Sequence, residues 1–353
     1  MKIAFVDRDG TLVEEPPDEQ VDALAKIRFL PGVFAGLARL RDAGYRFAIV
    51  TNQDGLGTAS FPREHYEQAQ QFIIEAFRSQ GIEFDAVFVC PHFRKDGCSC
   101  RKPQTALVDA WVRERGVDLA ASAMIGDRDT DLEFARNLGV RGLRVLARGE
   151  PATSWPAVVD ELLARRATVV RKTRETDIRV SVDLDREGPQ RISTGIGFFD
   201  HMLEQIGKHG AFALELECKG DLEVDEHHTI EDCALALGEA LRRALGDKRG
   251  IQRYGFLLPM DEARAEVAID LSGRAYAVFE GQFGRDQVGG LPSELVPHFF
   301  RSLGDALGAA IHVRVQGVNT HHMIEACFKG VGRALRQALR RENAGVPSTK
   351  GVL

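Results

Sequence analysis

The rhythm of apolar and polar positions changes partway along this chain of 353 residues. Up to about Leu163, short apolar runs alternate with stretches whose apolar residues recur every three or four positions. Lys2 to Val6, Arg46 to Thr51, Ala86 to Cys90 and Ala123 to Ile125 predict strands; Val33 to Ala43, Pro62 to Gln80, Gln104 to Arg115 and Asp129 to Leu138 predict helices. Such alternation implies a parallel sheet covered on both faces. The rhythm breaks between about Pro151 and Arg171, where Pro151 and Pro156 bracket a Trp and the basic pair Arg165-Arg166 follows. The boundary is placed near Arg166, giving domains 1–166 and 167–353. Beyond it, Ile178 to Leu184, Ala211 to Cys218 and Ala263 to Leu271 alternate polar and apolar residues, as half-buried strands do, with a helix pair in each half.

The second part also repeats itself. His227-His228-Thr229-Ile230-Glu231 returns as His321-His322-Met323-Ile324-Glu325, about 95 residues on, a period long enough for a half-domain. Each copy runs into a helical stretch, Asp232 to Leu245 and Ala326 to Leu339. On a helix, residues four apart share a face, so His227 meets Glu231 and His321 meets Glu325. The neighbouring His228 and His322 point about 100° away and are free to serve a second metal. Imidazole with carboxylate suits Mn, Fe, Co or Zn. Two amphipathic helices that happen to begin with histidines are the plainer alternative, which two copies of identical spacing disfavour.

Composition narrows the classes. A hydrophobic fraction of 44% suffices for packed cores, and a net charge of −6 argues against nucleic-acid or membrane-surface partners. No apolar run reaches the length of a membrane span. Of six cysteines, Cys90, Cys98 and Cys100 crowd together with a histidine, while Cys218, Cys233 and Cys327 stand singly. That is no disulfide framework and suggests a reduced, cytoplasmic enzyme.

The first strand ends in Asp7-Arg8-Asp9-Gly10-Thr11. At the carboxyl end of a leading parallel strand, where such sheets place their ligands, this spacing lets one carboxylate attack phosphorus while the other moves a proton to and from the ester oxygen. An aspartyl-phosphate route also needs a hydroxyl or amide, a cation, and carboxylates for Mg²⁺. Thr51-Asn52, Lys102 and Gly126-Asp127-Arg128-Asp129-Thr130-Asp131 supply these in order. A capped turn would explain the first motif alone, but not the whole set. The set resembles the haloacid-dehalogenase-type phosphatases, with their Rossmann-like α/β sheet. That resemblance implies Asp7 as nucleophile, Asp9 as general acid and base, and Thr51, Asn52 and Lys102 at the phosphoryl group. It also implies Mg²⁺ on Asp7, Asp127 and the Asp9 carbonyl, with Asp131 acting through water.

Cys90, His92, Cys98 and Cys100 form a ligand set suited to closed, structural Zn²⁺, in a loop that borders the phosphatase pocket. A redox pair at Cys98 and Cys100 is the rival, but its spacing is not that of thiol oxidoreductases. The loop is similar to one in phosphatases acting on histidinol phosphate and heptose bisphosphates.

Thr194 to Met202, Asp225 to Asp232, Leu271 to Arg274, the second cassette with Phe328-Lys329, and Pro347 to Gly351 together resemble the imidazoleglycerol-phosphate dehydratases. The match covers nearly all of residues 168 to 353. It implies an α+β domain of two duplicated halves and adds His201 and His298 to His227, His228, Glu231, His321, His322 and Glu325, four ligands for each of two Mn²⁺ or similar ions. Two metals on the two ring nitrogens would stabilise an imidazolate while a carboxylate shuttles the proton. The resemblance names Glu175 for that shuttle, a residue that by itself reads as a surface charge, and Arg253, Arg274, Lys329, Ser348 and Lys350 for the phosphate. It further implies metals between subunits of a 24-subunit shell. Jointly, the halves resemble bifunctional histidine-biosynthesis enzymes, histidinol-phosphatase plus dehydratase. The rivals are a phosphatase of another small ester joined to a metal-sensing module or to a dinuclear hydrolase.

Overall fold

The computed structural model describes residues 1–146, 153–256, 259–342, 345–351 and 353. It comprises two compact units, Met1–Leu163 and Ala164–Leu353. Pro151, one of the prolines read as bracketing the seam, lies outside the described residues. Among the described residues, no helix is long and apolar enough to cross a membrane.

In the first unit the chain runs β1 (Ile3–Val6), α1 (Val33–Asp42), β2 (Arg46–Asn52), α2 (Arg63–Ser79), β3 (Phe84–Cys90), α3 (Asp109–Glu114), β4 (Ala123–Gly126), α4 (Asp129–Leu138), β5 (Arg141–Arg144) and α5 (Trp155–Leu163). The strands form one sheet in the order β3-β2-β1-β4-β5, every pairing parallel. Successive strand side chains point to opposite faces, and each face finds its own cover. Ala4, Val6, Phe47 and Ile49 pack with Leu37, Ile73, Phe77 and Val159; Ile3, Phe5, Ala48 and Val50 pack with Val112 and Phe134. Burial on both sides is why these strands read as unbroken apolar runs.

Three local expectations need correction. Helix α3 starts at Asp109, five residues after the expected Gln104, because turns closed by Gln104 N–H on the Arg101 carbonyl and Val108 N–H on the Thr105 carbonyl precede it. The seam segment contains a helix, α5, whose Trp155 is 1% exposed and donates its indole N–H to the Thr11 carbonyl at 2.9 Å. Arg165 and Arg166 belong to the second unit: Arg165 is bound through main chain and guanidinium to Asp185, and Arg166 opens the first strand of that unit.

That unit continues β6 (Arg166–Lys172), β7 (Thr176–Asp183), β8 (Gln190–Ser193), α6 (Gly197–Gly210), β9 (Ala213–Gly220) and α7 (His227–Leu245). A second half follows as β10 (Tyr254–Phe256), β11 (Pro259–Met260), β12 (Ala263–Asp270), β13 (Tyr276–Glu280), β14 (Gln287–Val288), β15 (Leu291–Pro292), α8 (Leu295–Leu307), β16 (Ala310–Gln316) and α9 (Thr320–Leu339). The two sheets are copies in topology. Their orders are β6-β7-β9-β8 and β10-β12-β16-β13, and in each only the last pairing is parallel. Strands β7 and β12 even share the same alternation of buried and solvent-facing positions. The halves interlock through their helices, α6 packing on α9 and α7 on α8 over one shared core. Cys218 of β9 and Cys233 of α7, singletons in the sequence, are both buried in that core.

Candidate active sites and metal centres

In the first unit, β1, β2 and β4 are neighbours, and their carboxyl ends deliver Asp7, Thr51 and Asp127 to one place. Asp7, Asp9, Thr51, Asn52 and Lys102 line a pocket there. Lys102 is 3% exposed, and its ammonium joins Asp7 (2.8 Å) to Asp131 (2.6 Å) while donating to the Val50 carbonyl at 2.7 Å. Gly10 is required beside them. Its φ is +75°, and a Cβ there would lie 2.3 Å from Asp127 Oδ2.

The crowding of carboxylates is the fit test for a cation. Asp7, Asp127 and Asp131 can bring oxygens within 4.8 Å of one another. Burial first, and then its acidic neighbours against Lys102, push the Asp7 carboxyl up to about 8. Burial and Asp131 push Asp127 up to about 6, and its buried Oδ1 has no hydrogen-bond partner. A divalent cation would relieve all of this. Asp131, expected to act through water, is instead fully buried on Lys102 and caps α4 by accepting the Arg128 N–H at 3.0 Å. Asn52 is turned to the backbone of Lys102, accepting its N–H at 3.0 Å and donating to its carbonyl at 3.3 Å. It orients the lysine. Gln53, next in sequence, was not singled out. Its amide donates to Asp9 at 2.7 Å and to the Thr51 hydroxyl at 2.8 Å.

Cys90, His92, Cys98 and Cys100 converge with separations of 3.1 to 3.7 Å. Tetrahedral Zn²⁺ with bonds of about 2.3 Å to sulfur sets ligands about 3.8 Å apart, so the donors fit with little movement. The loop is tied to the pocket, since Arg101 donates to the His92 carbonyl at 3.1 Å and pairs with Asp54.

In the second unit, α7 and α9 begin at or before the cassettes, so each His-x-x-x-Glu pair lies in a first turn. Asp225 accepts the His227 N–H at 2.8 Å and Asn319 the His321 N–H at 3.0 Å, matching caps at matching positions. The partner helix supplies one further histidine to each. His298 of α8 lies 3.2 Å from Glu231, and its ring is 4.8 Å from that of His227. His201 of α6 lies 3.7 Å from Glu325, which is 3.3 Å from His321. The duplication thus sets two imidazoles around a carboxylate twice, a donor set for borderline divalent ions. The first three donors lie within 4.8 Å of one another, while in the second set each imidazole approaches Glu325 separately.

His228 and His322 join neither cluster. Each ring offers Nδ1 to a carboxylate, His228 to Asp221 at 3.1 Å and His322 to Glu262 at 2.8 Å, which in both cases raises its proton affinity. Such partners fix a ring so that Nε2 faces a metal. Glu175 is exposed, close enough to act on the charge of His228. Its turn is anchored by Asp232, which accepts from Thr176 at 2.6 Å and from Arg171 at 2.9 Å. Of the phosphate candidates, Arg253 is paired with Asp270 and donates to the Pro347 carbonyl at 3.2 Å, beside the tail that carries Ser348 and Lys350. The tail's end, Leu353, approaches Gly273, next to Arg274. Lys329 is bound to Glu325 at 2.8 Å, within the second cluster. Asp221 and Glu262 carried no signal in the sequence beyond being acidic, and Asp232 none beyond closing the Asp225 to Asp232 segment.

Residues 194–335 match the family model of imidazoleglycerol-phosphate dehydratase, and residues 99–155 that of HAD-hydrolase-like proteins. The chain is 55% identical to the histidine biosynthesis bifunctional protein HisB of Stenotrophomonas maltophilia (strain R551-3), over 99% of each chain. It is likewise 55% identical to the protein of that name from Legionella pneumophila (strain Lens), over 100% of this chain and 99% of that one. Among solved structures, imidazoleglycerol-phosphate dehydratase from Staphylococcus aureus subsp. aureus N315 matches at 36% identity with a TM-score of 0.46, covering 50% of this chain and 99% of that one.

Proposed function

The chain belongs to the family of bifunctional histidine-biosynthesis enzymes, and we propose that its two units catalyse two separate steps of that pathway in the cytoplasm. The first hydrolyses histidinol phosphate. Asp7 attacks phosphorus, the bond from phosphorus to the ester oxygen breaks, and Asp9 passes a proton to that oxygen so that histidinol leaves. Asp9 then takes a proton from the water that attacks the aspartyl-phosphate, releasing phosphate and restoring Asp7. Lys102 and Thr51 hold the phosphoryl oxygens. Asp7, Asp127 and the Asp9 carbonyl would hold Mg²⁺, which neutralises phosphoryl charge. Glu15, Asp18 and Glu19 on the pocket wall favour a cationic ester such as this one. Cys90, His92, Cys98 and Cys100 would hold structural Zn²⁺.

The second unit dehydrates imidazoleglycerol phosphate to imidazole acetol phosphate. The observation that carries this reading is the pair of three-donor clusters, His227–Glu231–His298 and His201–His321–Glu325, written by one duplication. Two divalent ions such as Mn²⁺, bound one per cluster, would stabilise the substrate ring as an imidazolate. Glu175 removes the carbon-bound proton and returns a proton to the departing hydroxyl, so that water leaves and the enol product rearranges to the ketone. Arg253, Arg274, Ser348 and Lys350 bind the phosphate, with Lys329 at the metal end. His228 and His322 complete the clusters of neighbouring copies, which makes the working form a homo-oligomer, a 24-subunit shell by family pattern. Membership of this family sets the sensor and dinuclear-hydrolase readings aside. The test is to assay the purified chain with histidinol phosphate and Mg²⁺, and with imidazoleglycerol phosphate and Mn²⁺. Turnover of both is expected, and failure on either would refute that half.

A further inference from the structure

Arg8 stands between the two working aspartates of the first unit, yet it is 0% exposed. A buried guanidinium is costly unless its donors are satisfied; here both terminal nitrogens have specific partners, while the buried Nε has none among the described residues. One nitrogen lies 3.2 Å from each carboxylate oxygen of Asp9 and 3.4 Å from Gln53 Oε1. The other donates to the Val21 carbonyl at 3.0 Å, and the guanidinium lies 4.8 Å from the centre of the Tyr66 ring. Gln53, 2% exposed, grips the same carboxylate, donating at 2.7 Å to Asp9 Oδ2, the oxygen that also accepts from Arg8. Its second amide hydrogen goes to the Thr51 hydroxyl at 2.8 Å. A hydroxyl that accepts from an amide keeps its own proton for another acceptor, so Thr51 is left donating toward the pocket it lines.

We propose that Arg8 and Gln53 are positioning residues that clamp Asp9 at the angle from which it passes its proton to the leaving oxygen, and that Gln53 also turns the Thr51 hydroxyl to the phosphoryl group. The inference rests on the reading of Asp9 as proton donor. The physical basis is orientation. A free aspartate rotates about two side-chain bonds, whereas proton transfer in the transition state needs one oxygen within hydrogen-bond reach of the ester oxygen. Both residues are too deeply buried to serve the substrate themselves.

A structural role would harm every substrate alike, whereas a clamp on the acid harms those whose leaving group needs a proton. The full-length chain carrying Gln53→Met or Arg8→Met is therefore compared with the parent on histidinol phosphate, an alkyl ester, and on p-nitrophenyl phosphate, whose phenolate departs unprotonated. Because Asp9 also serves the later hydrolysis of the aspartyl-phosphate, which is the same for both esters, the readout is the single-turnover rate of leaving-group release. A loss of about 100-fold on the alkyl ester is expected, the scale of general-acid catalysis, with a loss at least about tenfold smaller on the aryl ester. Gln53→Met removes no buried charge and tests the clamp if Arg8→Met misfolds. Equal losses on both esters in Gln53→Met would overturn the proposal. Asp9→Asn, run beside them, separates the two levels. If it too shows no preference between esters, Asp9 is not the proton donor and the clamp falls with it; a preference in Asp9→Asn without one in Gln53→Met refutes the clamp alone.

Discussion

The first unit gathers Asp7, Asp9, Thr51, Lys102 and Asp127 at one end of one sheet, within one chain. The second unit divides its donors between two look-alike clusters and leaves His228 and His322 attached to Asp221 and Glu262 outside both. The difference follows from how each was built. A parallel sheet has a single place where strand order reverses, and loops from several strands converge there. A duplication makes everything twice, including a histidine on the far side of each helix, so its donors are shared out by symmetry. On the proposed function, one site is closed by folding alone and the other calls for a second copy of the chain.

The sharpest break in this comparison is Asp7→Asn. It removes the group proposed to attack phosphorus, and phosphatase turnover should fall by at least about 10⁴-fold, the scale seen for lost nucleophiles. Dehydratase activity of the same preparation should stay within about twofold of the parent. Parallel loss of both activities would show that the units are coupled. Next in size, Glu231→Gln or Glu325→Gln should each lower dehydratase activity by about 100-fold or more, with about one divalent ion per chain lost on metal analysis. Full activity with one cluster disabled would refute a shared two-metal site. Smaller still is Cys98→Ser. Zinc analysis of the purified chain should fall by about one ion, and the first unit's melting temperature by several degrees, with kcat for the phosphatase reduced less than tenfold.

The legible parts of the molecule share a physical cause. Strands buried on both faces leave continuous apolar runs, and the polar residues that end them, Asp7, Thr51 and Asp127, stand out for that reason. The cassettes were legible because a helix sets residues four apart side by side. Edge strand β5 escaped notice because only Leu143 of its four residues is buried. Helix α5 was hidden by a Trp and a Pro at its start, which read as a break, although Trp155 is a core residue and Pro is at ease in a first helical turn. Gln53, Asp232 and Glu262 could not be read, since each matters through a partner that only the fold brings near: Gln53 reaches Asp9 from the end of the neighbouring strand, and Glu262 reaches His322 from another turn. Arg8 sits beside Asp9 in the motif, but its burial and its contacts with Gln53 and Val21 are set by the fold. The resemblance grouped Asn52 with the phosphoryl binders, whereas its amide is engaged with the backbone of Lys102.

The central claim is that one site is complete in a single chain and the other is not. Both activities can be followed in one tube, across a dilution series with and without Mn²⁺ chelation, while sedimentation reports the assembly. Phosphatase activity per chain, measured with Mg²⁺ restored, should stay constant as the assembly dissociates, and dehydratase activity should fall in step with the loss of oligomer. A dissociated single chain that dehydrates imidazoleglycerol phosphate at the full rate would contradict the account.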